Sequence, residues 1–220
     1  MQEVTFHNVA TYYDYLASLV FGNAIRRSQR NFLSDIPAGS HVLIVGGGTG
    51  WILKELSKLK NCRITYLETA ASMLKKANQN YRLLKKVYDG QGTEVVFIQG
   101  SVASLPTDTS YDVVITYFLL DLYAAPDALL LMRAMEAKLK PGGKWLFSDF
   151  VKSRSLSKRV WQQPLLWLMY SFFKLTTNLQ NSTLPDLIHL FNVLNFTELK
   201  KQSFYFSFIR SAVYQKREPH

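Results

Sequence analysis

Short apolar runs alternate with amphipathic stretches through the first 150 residues of the chain. Five runs are rich in the aliphatic and aromatic side chains that favour buried strands; they are HVLIV, RITYLE, EVVFIQ, YDVVITYF and KWLFSDF. Three stretches between them have apolar positions at helical spacing, namely TGWILKELSKLK, ASMLKKANQNYRLLKK and APDALLLMRAMEAKL. Strands and helices that alternate at such short intervals predict an α/β fold, a parallel sheet covered by helices.

The two ends of the chain break this alternation. Two helices are predicted within residues 1–38, before the first strand. Residues 151–195 are helical in pattern and very apolar, and residues 196–217 form two strands with a turn near FSFIRS. A hairpin at this place adds an antiparallel strand to the sheet. We therefore expect a single domain over residues 1–220, built around a core of residues 40–150.

Composition and charge narrow the class of protein. Hydrophobic residues make up 48% of the chain, as is typical of a globular protein. The net charge of +10 favours anionic partners, but the basic residues are scattered and fit solvated helix faces better. Cys62 is the single cysteine, so no disulfide is expected and a reducing, cytoplasmic location fits best. Neither a signal peptide nor an apolar window of transmembrane length is visible.

A cluster of glycines follows the first strand, in VLIVGGGTGW. Glycine weakens regular structure, so this much backbone freedom indicates a point where something approaches the main chain closely. Gly46, Gly48 and Gly50 have the spacing G-x-G-x-G. A dinucleotide fingerprint would need glycine in place of Trp51, and a phosphate loop would continue into G-K-[ST]. The pattern therefore favours a ligand that needs no diphosphate-binding loop, at the carboxyl edge of the sheet.

Glu68 closes the second predicted strand, 22 residues after Gly46. A carboxylate at this place can accept hydrogen bonds from the 2′ and 3′ hydroxyls of a ribose, as it does in dinucleotide sites. The alternative is that Glu68 only caps the following helix, since acidic side chains are favoured at helix N-termini. Because the loop and the acid occur together in this order, we favour ribose binding.

Five segments together carry a resemblance to a known family: VLIVGGGTG, ITYLETAASMLKKA, VVFIQGSVASLP, YDVVITYFLLDLY and LKPGGKWLFSDF. They resemble the class I S-adenosylmethionine-dependent methyltransferases, in the family's order, over about residues 40–150. The N-terminal ATYYDYLASLVFG also resembles the lead-in helix of small-molecule enzymes such as the quinone-biosynthesis methyltransferases. The resemblance implies a Rossmann-like, doubly wound sheet of seven strands, mostly parallel, with one antiparallel strand near the C-terminus. It also implies S-adenosyl-L-methionine as cofactor, S-adenosyl-L-homocysteine as product and a small-molecule acceptor.

Carried over by position, the resemblance assigns roles to particular residues. The glycine loop would hold the methionine end of the cofactor and Glu68 the ribose. Residues after the second and third strands would contact the adenine, and the end of the fourth strand the methionine moiety. The cofactor-binding residues so implied are Gly46, Gly47, Gly48, Gly50, Glu68, Thr69, Met73, Ser101, Val102 and Tyr117. The acceptor side would begin at residues 119–122.

Two positions depart from the family's pattern. The family usually has an acid at the place of Ile44 and often an aspartate at the place of Ser101. Isoleucine makes no polar contact, and serine accepts a hydrogen bond without the help of a charge. These departures raise the hypothesis of weaker cofactor binding, and they are the support for an alternative in which the chain is a non-catalytic scaffold.

Methyl transfer from a sulfonium is an in-line displacement in which positioning does most of the catalysis. A base is needed only where the acceptor loses a proton. Asp121 is the candidate base, with a helix-capping role as its alternative, and Asp149 is a second acid that could face the pocket. Tyr13 is a candidate to touch cofactor or acceptor, with plain core packing as its alternative. No metal site is expected, because His7 and His189 have no ligand spacing.

The apolar segment over residues 161–175 bears on the acceptor. It fits a lid over an apolar or aromatic molecule, a face that rests on a membrane, or an ordinary buried helix. A nucleic-acid acceptor is not expected, because TYFLLD replaces the Asn/Asp-Pro-Pro-aromatic element of amine-directed nucleic-acid methyltransferases and no RNA-binding module is attached. The sequence therefore predicts methyl transfer to a small, apolar or aromatic molecule, with a membrane-peripheral lipid or quinone methyltransferase as the alternative.

Overall fold

The computed structural model describes residues 21–151 and 184–217, which form a seven-stranded sheet with helices on both faces. The strands are β1 (His41–Val45), β2 (Arg63–Glu68), β3 (Glu94–Gln99), β4 (Tyr111–Tyr117), β5 (Leu139–Phe150), β6 (Phe196–Phe204) and β7 (Ile209–Lys216). The α-helices are α1 (Ala24–Arg30), α2 (Leu53–Leu56), α3 (Ala71–Tyr88), α4 (Ala125–Lys138) and α5 (Leu187–Val193). Short 3-10 turns lie at Leu33–Asp35, Asp89–Gln91, Val102–Ser104 and Leu120–Leu122.

The strand order is β3-β2-β1-β4-β5-β7-β6. β1 to β5 pair in parallel, and β7 is antiparallel to both β5 and β6. β6 thus runs in the same direction as the first five strands, so six strands are parallel and one is antiparallel. This confirms the predicted doubly wound sheet and its C-terminal hairpin, whose turn lies between Phe204 and Ile209.

Each face of the sheet is buried by its own helices. α4 and α5 cover one face, where Trp145 and Phe147 of β5 pack against Phe191 of α5. α2 and α3 cover the other face, where Leu53 and Tyr81 lie with Tyr66 of β2. Burial of each large apolar side chain contributes about 1.5–3 kcal/mol, and strands buried on both faces explain the continuous apolar runs of the sequence.

A third cluster of apolar side chains lies where the carboxyl end of β5 meets the hairpin turn. The rings of Phe21, Phe118 and Phe208 all pack around Phe150, at centroid distances of 5.0, 4.9 and 5.0 Å. We call these four residues the aromatic end cluster. They lie at the edge of the sheet where ligands bind in open α/β folds.

Two elements differ in extent from the sequence patterns. The helix predicted over TGWILKELSKLK is confined to α2, because the turns around it are tight: Leu53 N–H bonds Gly50 O, and Leu59 N–H bonds Leu56 O. β5 begins at Leu139 rather than at Lys144, because Leu139 pairs with Tyr111 across an irregularity that accommodates the Pro-Gly-Gly segment.

Candidate active site

The order of the sheet reverses between β1 and β4, which are neighbours, and a crevice opens at such a switch point. The loop after β1 carries the glycine cluster, and the loop after β4 carries Leu119. A Cβ atom placed on Gly46 would lie 2.7 Å from Leu119 Cδ1, so the two loops are in direct contact. The fold therefore brings together the glycine loop and the predicted start of the acceptor side.

The glycines of this loop are required by its backbone. Gly46, Gly48 and Gly50 have φ angles of +68°, +62° and +84°, a region that other residues rarely adopt. At Gly50 a Cβ atom would lie 2.9 Å from Cα of Ala77 in α3. At Gly48 it would meet nothing within 4 Å. Space for a ligand is thus open beside the middle glycine, and this cradle fits the close backbone approach inferred from the sequence.

Glu68 lies at the end of β2, buried beside this loop. Its Oε2 accepts a hydrogen bond from Gly48 N at 2.8 Å, and its Oε1 accepts one from Ala70 N at 2.9 Å. The hydroxyl of Thr69 donates to the same Oε1 at 3.3 Å. The bond to Ala70, just before α3, is the helix-capping role that the sequence left open. The bond to Gly48 places the carboxylate beside the open space, and ribose binding by Glu68 stays a prediction.

The residues expected around the adenine lie on the loops after β2 and β3. Gly100 N–H donates to the carbonyl oxygen of Glu68 at 3.0 Å, which ties the two loops together. Ser101 is exposed, Val102 is buried in a 3-10 turn, and Met73 is half-buried in the first turns of α3. The fold therefore brings these residues to the same edge as Glu68, while their contacts with a cofactor stay a prediction.

β4 ends with Tyr117 at the crevice, and Phe118 is the next residue. Tyr117 is buried, and burial raises the pKa of its phenol well above the usual value. Phe118 has a φ angle of +52°, an uncommon and strained value for a bulky residue. Its N–H donates to Ser148 O at 2.8 Å, which locks β4 to β5 at this point. The aromatic end cluster therefore reaches the crevice through Phe118.

Asp121 and Asp149 form a buried carboxyl pair next to Phe118. Asp149 Oδ2 accepts hydrogen bonds from Leu120 N at 3.0 Å and from Asp121 N at 3.4 Å, which brings the two carboxyl groups close together. Burial raises the pKa of Asp121 to about 6, and burial together with the charge of Asp121 raises that of Asp149 well above its usual value. Two like charges so close do not both ionise readily, which favours the retention of one proton by the pair. It can therefore take up or release a proton near neutral pH.

Sequence reasoning missed three aromatic residues of this region. The Tyr66 hydroxyl donates to Gly47 O, beneath the loop. Phe118 carries the strained backbone described above. Tyr123 lies near enough to Glu68 that this charge, after burial, raises the pKa of its phenol. A polar ring inside the apolar run ITYLE was the one signal in the sequence that could have pointed to Tyr66.

Trp51, which replaces the third glycine of a dinucleotide fingerprint, faces α1. The guanidinium groups of Arg26 and Arg30 lie over its indole, at 5.2 and 5.9 Å from the ring centroid. A cavity of about 240 Å³ lies beside these residues, together with Lys54 and Glu55. This surface flanks the glycine loop and does not include Glu68 or the carboxyl pair.

Several expectations concern parts of the chain outside the described residues. Tyr13, the helix before Phe21 and the apolar segment at 161–175 all fall there. Within residues 21–151 and 184–217, no group of His, Cys, Asp and Glu side chains is arranged to hold a metal ion. In those same residues, no helix is long and apolar enough to cross a membrane.

Several known proteins are similar to this chain in sequence. A family model described as a methyltransferase domain matches residues 42–143. The ubiquinone/menaquinone biosynthesis C-methyltransferase UbiE of Pseudomonas paraeruginosa is 33% identical over 180 residues, which cover 79% of this chain and 67% of that protein. The chain belongs to the S-adenosylmethionine-dependent methyltransferases. S-adenosylmethionine is accordingly the cofactor, and it supplies an electrophilic methyl group on a sulfonium.

Solved structures of other methyltransferases share the fold. N-methyltransferase NodS from Bradyrhizobium japonicum, in complex with S-adenosyl-L-homocysteine, has a TM-score of 0.58 at 16% identity and covers 88% of this chain and 84% of its own. The 1,6-didemethyltoxoflavin-N1-methyltransferase of Burkholderia thailandensis has a TM-score of 0.61 at 13% identity, and the match covers 99% of this chain and 92% of that protein's chain. At these identities the likeness shows a shared architecture, and this chain is a methyltransferase of the seven-stranded type.

Proposed function

We propose that this methyltransferase acts on a small, apolar, aromatic acceptor of the quinol type. The observation that carries the proposal is the similarity to UbiE, whose printed name describes C-methylation in ubiquinone and menaquinone biosynthesis. Phe118 supports it, because it is the half-buried member of the aromatic end cluster and a ring at the crevice suits a flat apolar molecule. A quinol ring also has acidic hydroxyls, and loss of a proton makes the ring carbon nucleophilic.

The cofactor is placed in this proposal at the crevice between β1 and β4. The glycine loop, residues 46–50, meets the methionine end, with Tyr117 at the end of β4 close to it. Glu68 accepts the ribose hydroxyls, which is supported by its position beside the open space at Gly48. Thr69, Met73, Ser101 and Val102 border the adenine. Ile44 is buried beneath the loop and Ser101 is exposed, so neither adds a charged contact to the cofactor.

The carboxyl pair is the proton acceptor in this proposal. Asp121 is held by the bonds of Asp149 to the Leu120–Asp121 backbone, and Asp121 Oδ1 is buried with no hydrogen-bond partner among the described residues. A pKa of about 6 suits a base that must be ionised at neutral pH and still bind a proton in the transition state. The in-line geometry supplies the remainder of the rate enhancement through positioning.

A transfer assay tests the proposal. Radiolabelled S-adenosylmethionine is incubated with the full chain and short-chain demethylated quinols, with transfer RNA and duplex DNA as comparison acceptors. We expect label in a carbon-bound methyl group of the quinol and none in the nucleic acids. Label in nucleic acid alone, or in no ring compound, would contradict the acceptor class. The same assay with liposomes, followed by sedimentation, separates a membrane-peripheral enzyme from one that works on free acceptor.

A further inference from the structure

Two residues of β2 hold the peptide unit between Gly47 and Gly48 from both ends. Glu68 Oε2 accepts a hydrogen bond from the N–H of Gly48 at 2.8 Å. The hydroxyl of Tyr66 donates to the carbonyl oxygen of Gly47 and lies 3.2 Å from that of Gly48. The Gly47 carbonyl and the Gly48 N–H belong to one planar unit. Both polar ends of this unit are therefore fixed by side chains of the same strand.

The position of Tyr66 is itself rigid. Residues two apart on a strand point to the same face, so Tyr66 and Glu68 stand side by side beneath the loop. Tyr66 is fully buried, and its ring packs against Phe97 at a centroid distance of 5.2 Å. A Cβ atom on Gly47 would lie 2.1 Å from Tyr66 Cζ, so the ring fills the space under that glycine. The hydroxyl has little freedom to leave the loop.

We propose that Tyr66 is a positioning residue for the cofactor, whose hydroxyl holds the 47–48 peptide unit in the orientation that the cofactor meets. The inference rests on the proposed placement of the cofactor at the glycine loop. Between two glycines a peptide unit can rotate easily, because no Cβ atom restricts either neighbour. Ribose hydroxyls would compete with the Gly48 N–H for the carboxylate of Glu68. Tyr66 is then the anchor that stays unchanged when the cofactor binds.

The Tyr66 hydroxyl remains a donor at all pH values of interest. Burial, and after it the charge of Glu68, raises the pKa of the phenol far above its usual value. The contribution of Tyr66 to cofactor binding is therefore independent of pH between about 6 and 9, a range below the usual tyrosine pKa. This distinguishes it from the carboxyl pair, which titrates within that range.

The test compares two Tyr→Phe variants of the full chain. Tyr66→Phe removes the hydroxyl under the loop. Tyr81→Phe is the matched control, since Tyr81 is also buried, packs on Phe97 at 5.7 Å and donates to a backbone carbonyl, that of Thr93, at 3.3 Å. We expect Tyr66→Phe to raise the Kd of S-adenosylhomocysteine about tenfold, as for one lost buried hydrogen bond. Tyr81→Phe should leave the Kd within about twofold of that of the parent, while its Tm changes by about as much as that of Tyr66→Phe.

Titration calorimetry measures the Kd of S-adenosylhomocysteine, and thermal melts measure the Tm of each variant. With the proposed acceptor, the KM for S-adenosylmethionine should rise in Tyr66→Phe while kcat changes little. An unchanged Kd in Tyr66→Phe, or an equal loss in both variants, overturns the positioning role. Failure of the parent chain to bind S-adenosylhomocysteine would instead contradict the proposed cofactor site.

If Tyr66→Phe does not fold, a measurement on the parent chain tests the same proposal. The NMR shift of the Gly47 carbonyl carbon reports the bond from Tyr66 directly. An unchanging anchor predicts that this shift keeps its hydrogen-bonded value when S-adenosylhomocysteine is added. Movement to the value of a free carbonyl overturns the proposal.

Discussion

At the scale of single residues, the glycine loop shows that neighbouring glycines are needed for different reasons. Gly46 leaves room for Leu119, and Gly47 leaves room for the ring of Tyr66. Gly48 has open space around it and a positive φ angle. Glycine is therefore needed there for the backbone conformation and to leave room for a ligand. One motif of the sequence thus serves loop packing, strand packing and ligand access at three successive positions.

Gly48→Val should abolish cofactor binding. A branched side chain would occupy the open space, and the positive φ angle adds strain of about 1–3 kcal/mol. Gly39→Val is the matched control, because Gly39 has a φ angle of +77° and also nothing within 4 Å, but precedes β1 at the opposite end of the sheet. Titration calorimetry should find no binding of S-adenosylhomocysteine to Gly48→Val and parent-like binding to Gly39→Val. Binding by both variants would mean that the loop is only a tight turn.

Glu68→Gln should weaken S-adenosylhomocysteine binding by about 1.5–3 kcal/mol, roughly ten- to a hundredfold, because a charged acceptor becomes a neutral one. The structure adds a second effect, a lower Tm, since the same carboxylate accepts from Gly48 N and Ala70 N. Calorimetry and melting curves separate the two effects. A lower Tm with unchanged affinity would leave Glu68 with the capping role alone.

At the scale of elements, β5 controls the loop that follows β4. Phe118 is held in a strained conformation by its bond to Ser148 O, and the next turn is held by Asp149. Backbone strain of this kind persists only where the surroundings determine it and is concentrated at functional sites. The loop that would face the acceptor is therefore positioned by a neighbouring strand rather than by its own sequence.

The carboxyl pair should make stability fall as the pH rises. Carboxyls whose pKa is raised in the fold bind protons more tightly there than in the unfolded chain, so their contribution is complete below about pH 4 and is lost as the pH passes 6. Asp149→Asn mimics the protonated side chain and should reduce the loss in free energy of unfolding between pH 5 and 8 by roughly 1–3 kcal/mol. Arg210 is the cross-strand neighbour of Asp149 and forms an ion pair with Glu198. This ion pair is present in the parent and in Asp149→Asn, so the two chains differ only at the carboxyl group.

Asp112→Asn provides a control of opposite sign. Although burial opposes it, the hydrogen bonds from Lys140 and from His41 N–H hold the pKa of Asp112 below its usual value. Its contribution is therefore present above about pH 4 and is lost in acid. Urea melts over a range of pH should show less acid sensitivity in Asp112→Asn and less sensitivity to rising pH in Asp149→Asn. Identical pH profiles for Asp149→Asn and the parent would exclude a shared proton in the pair.

At the scale of the whole molecule, the cofactor should stabilise the fold. A ligand that binds only the folded chain, at 100 times its Kd, adds about 2.7 kcal/mol to the free energy of unfolding. S-adenosylhomocysteine should therefore raise the Tm, and NADH should not, because Trp51 occupies the place of the third fingerprint glycine and packs beneath arginines of α1. Differential scanning calorimetry measures both. A shift with NADH alone would reassign the site to a dinucleotide.

Much of the architecture could be predicted from the sequence, and so could the edge of the sheet that carries the candidate site. Apolar runs of strand length, separated by helical patterns, reflect local periodicity, and local periodicity is written directly in the order of residues. The C-terminal hairpin was visible for the same reason. The glycine spacing and the acid at the end of the second strand indicated one edge of the sheet, because carboxyl ends of parallel strands meet there.

Only the tertiary structure decided which distant residues meet. Asp121 and Asp149 are 28 residues apart, and their raised pKa values depend on the pairing of β4 with β5 and on burial, which no local pattern encodes. Tyr66 fits the apolar pattern of its strand. Its polar role depends on the carbonyl oxygen of Gly47, which only the folded chain brings to its hydroxyl. The sequence by itself determined the strands and the edge of the sheet that carries the candidate site. Contacts between strands, and the exclusion of water from the buried carboxyl groups, determined the chemistry available there, because both depend on residues that are far apart along the chain.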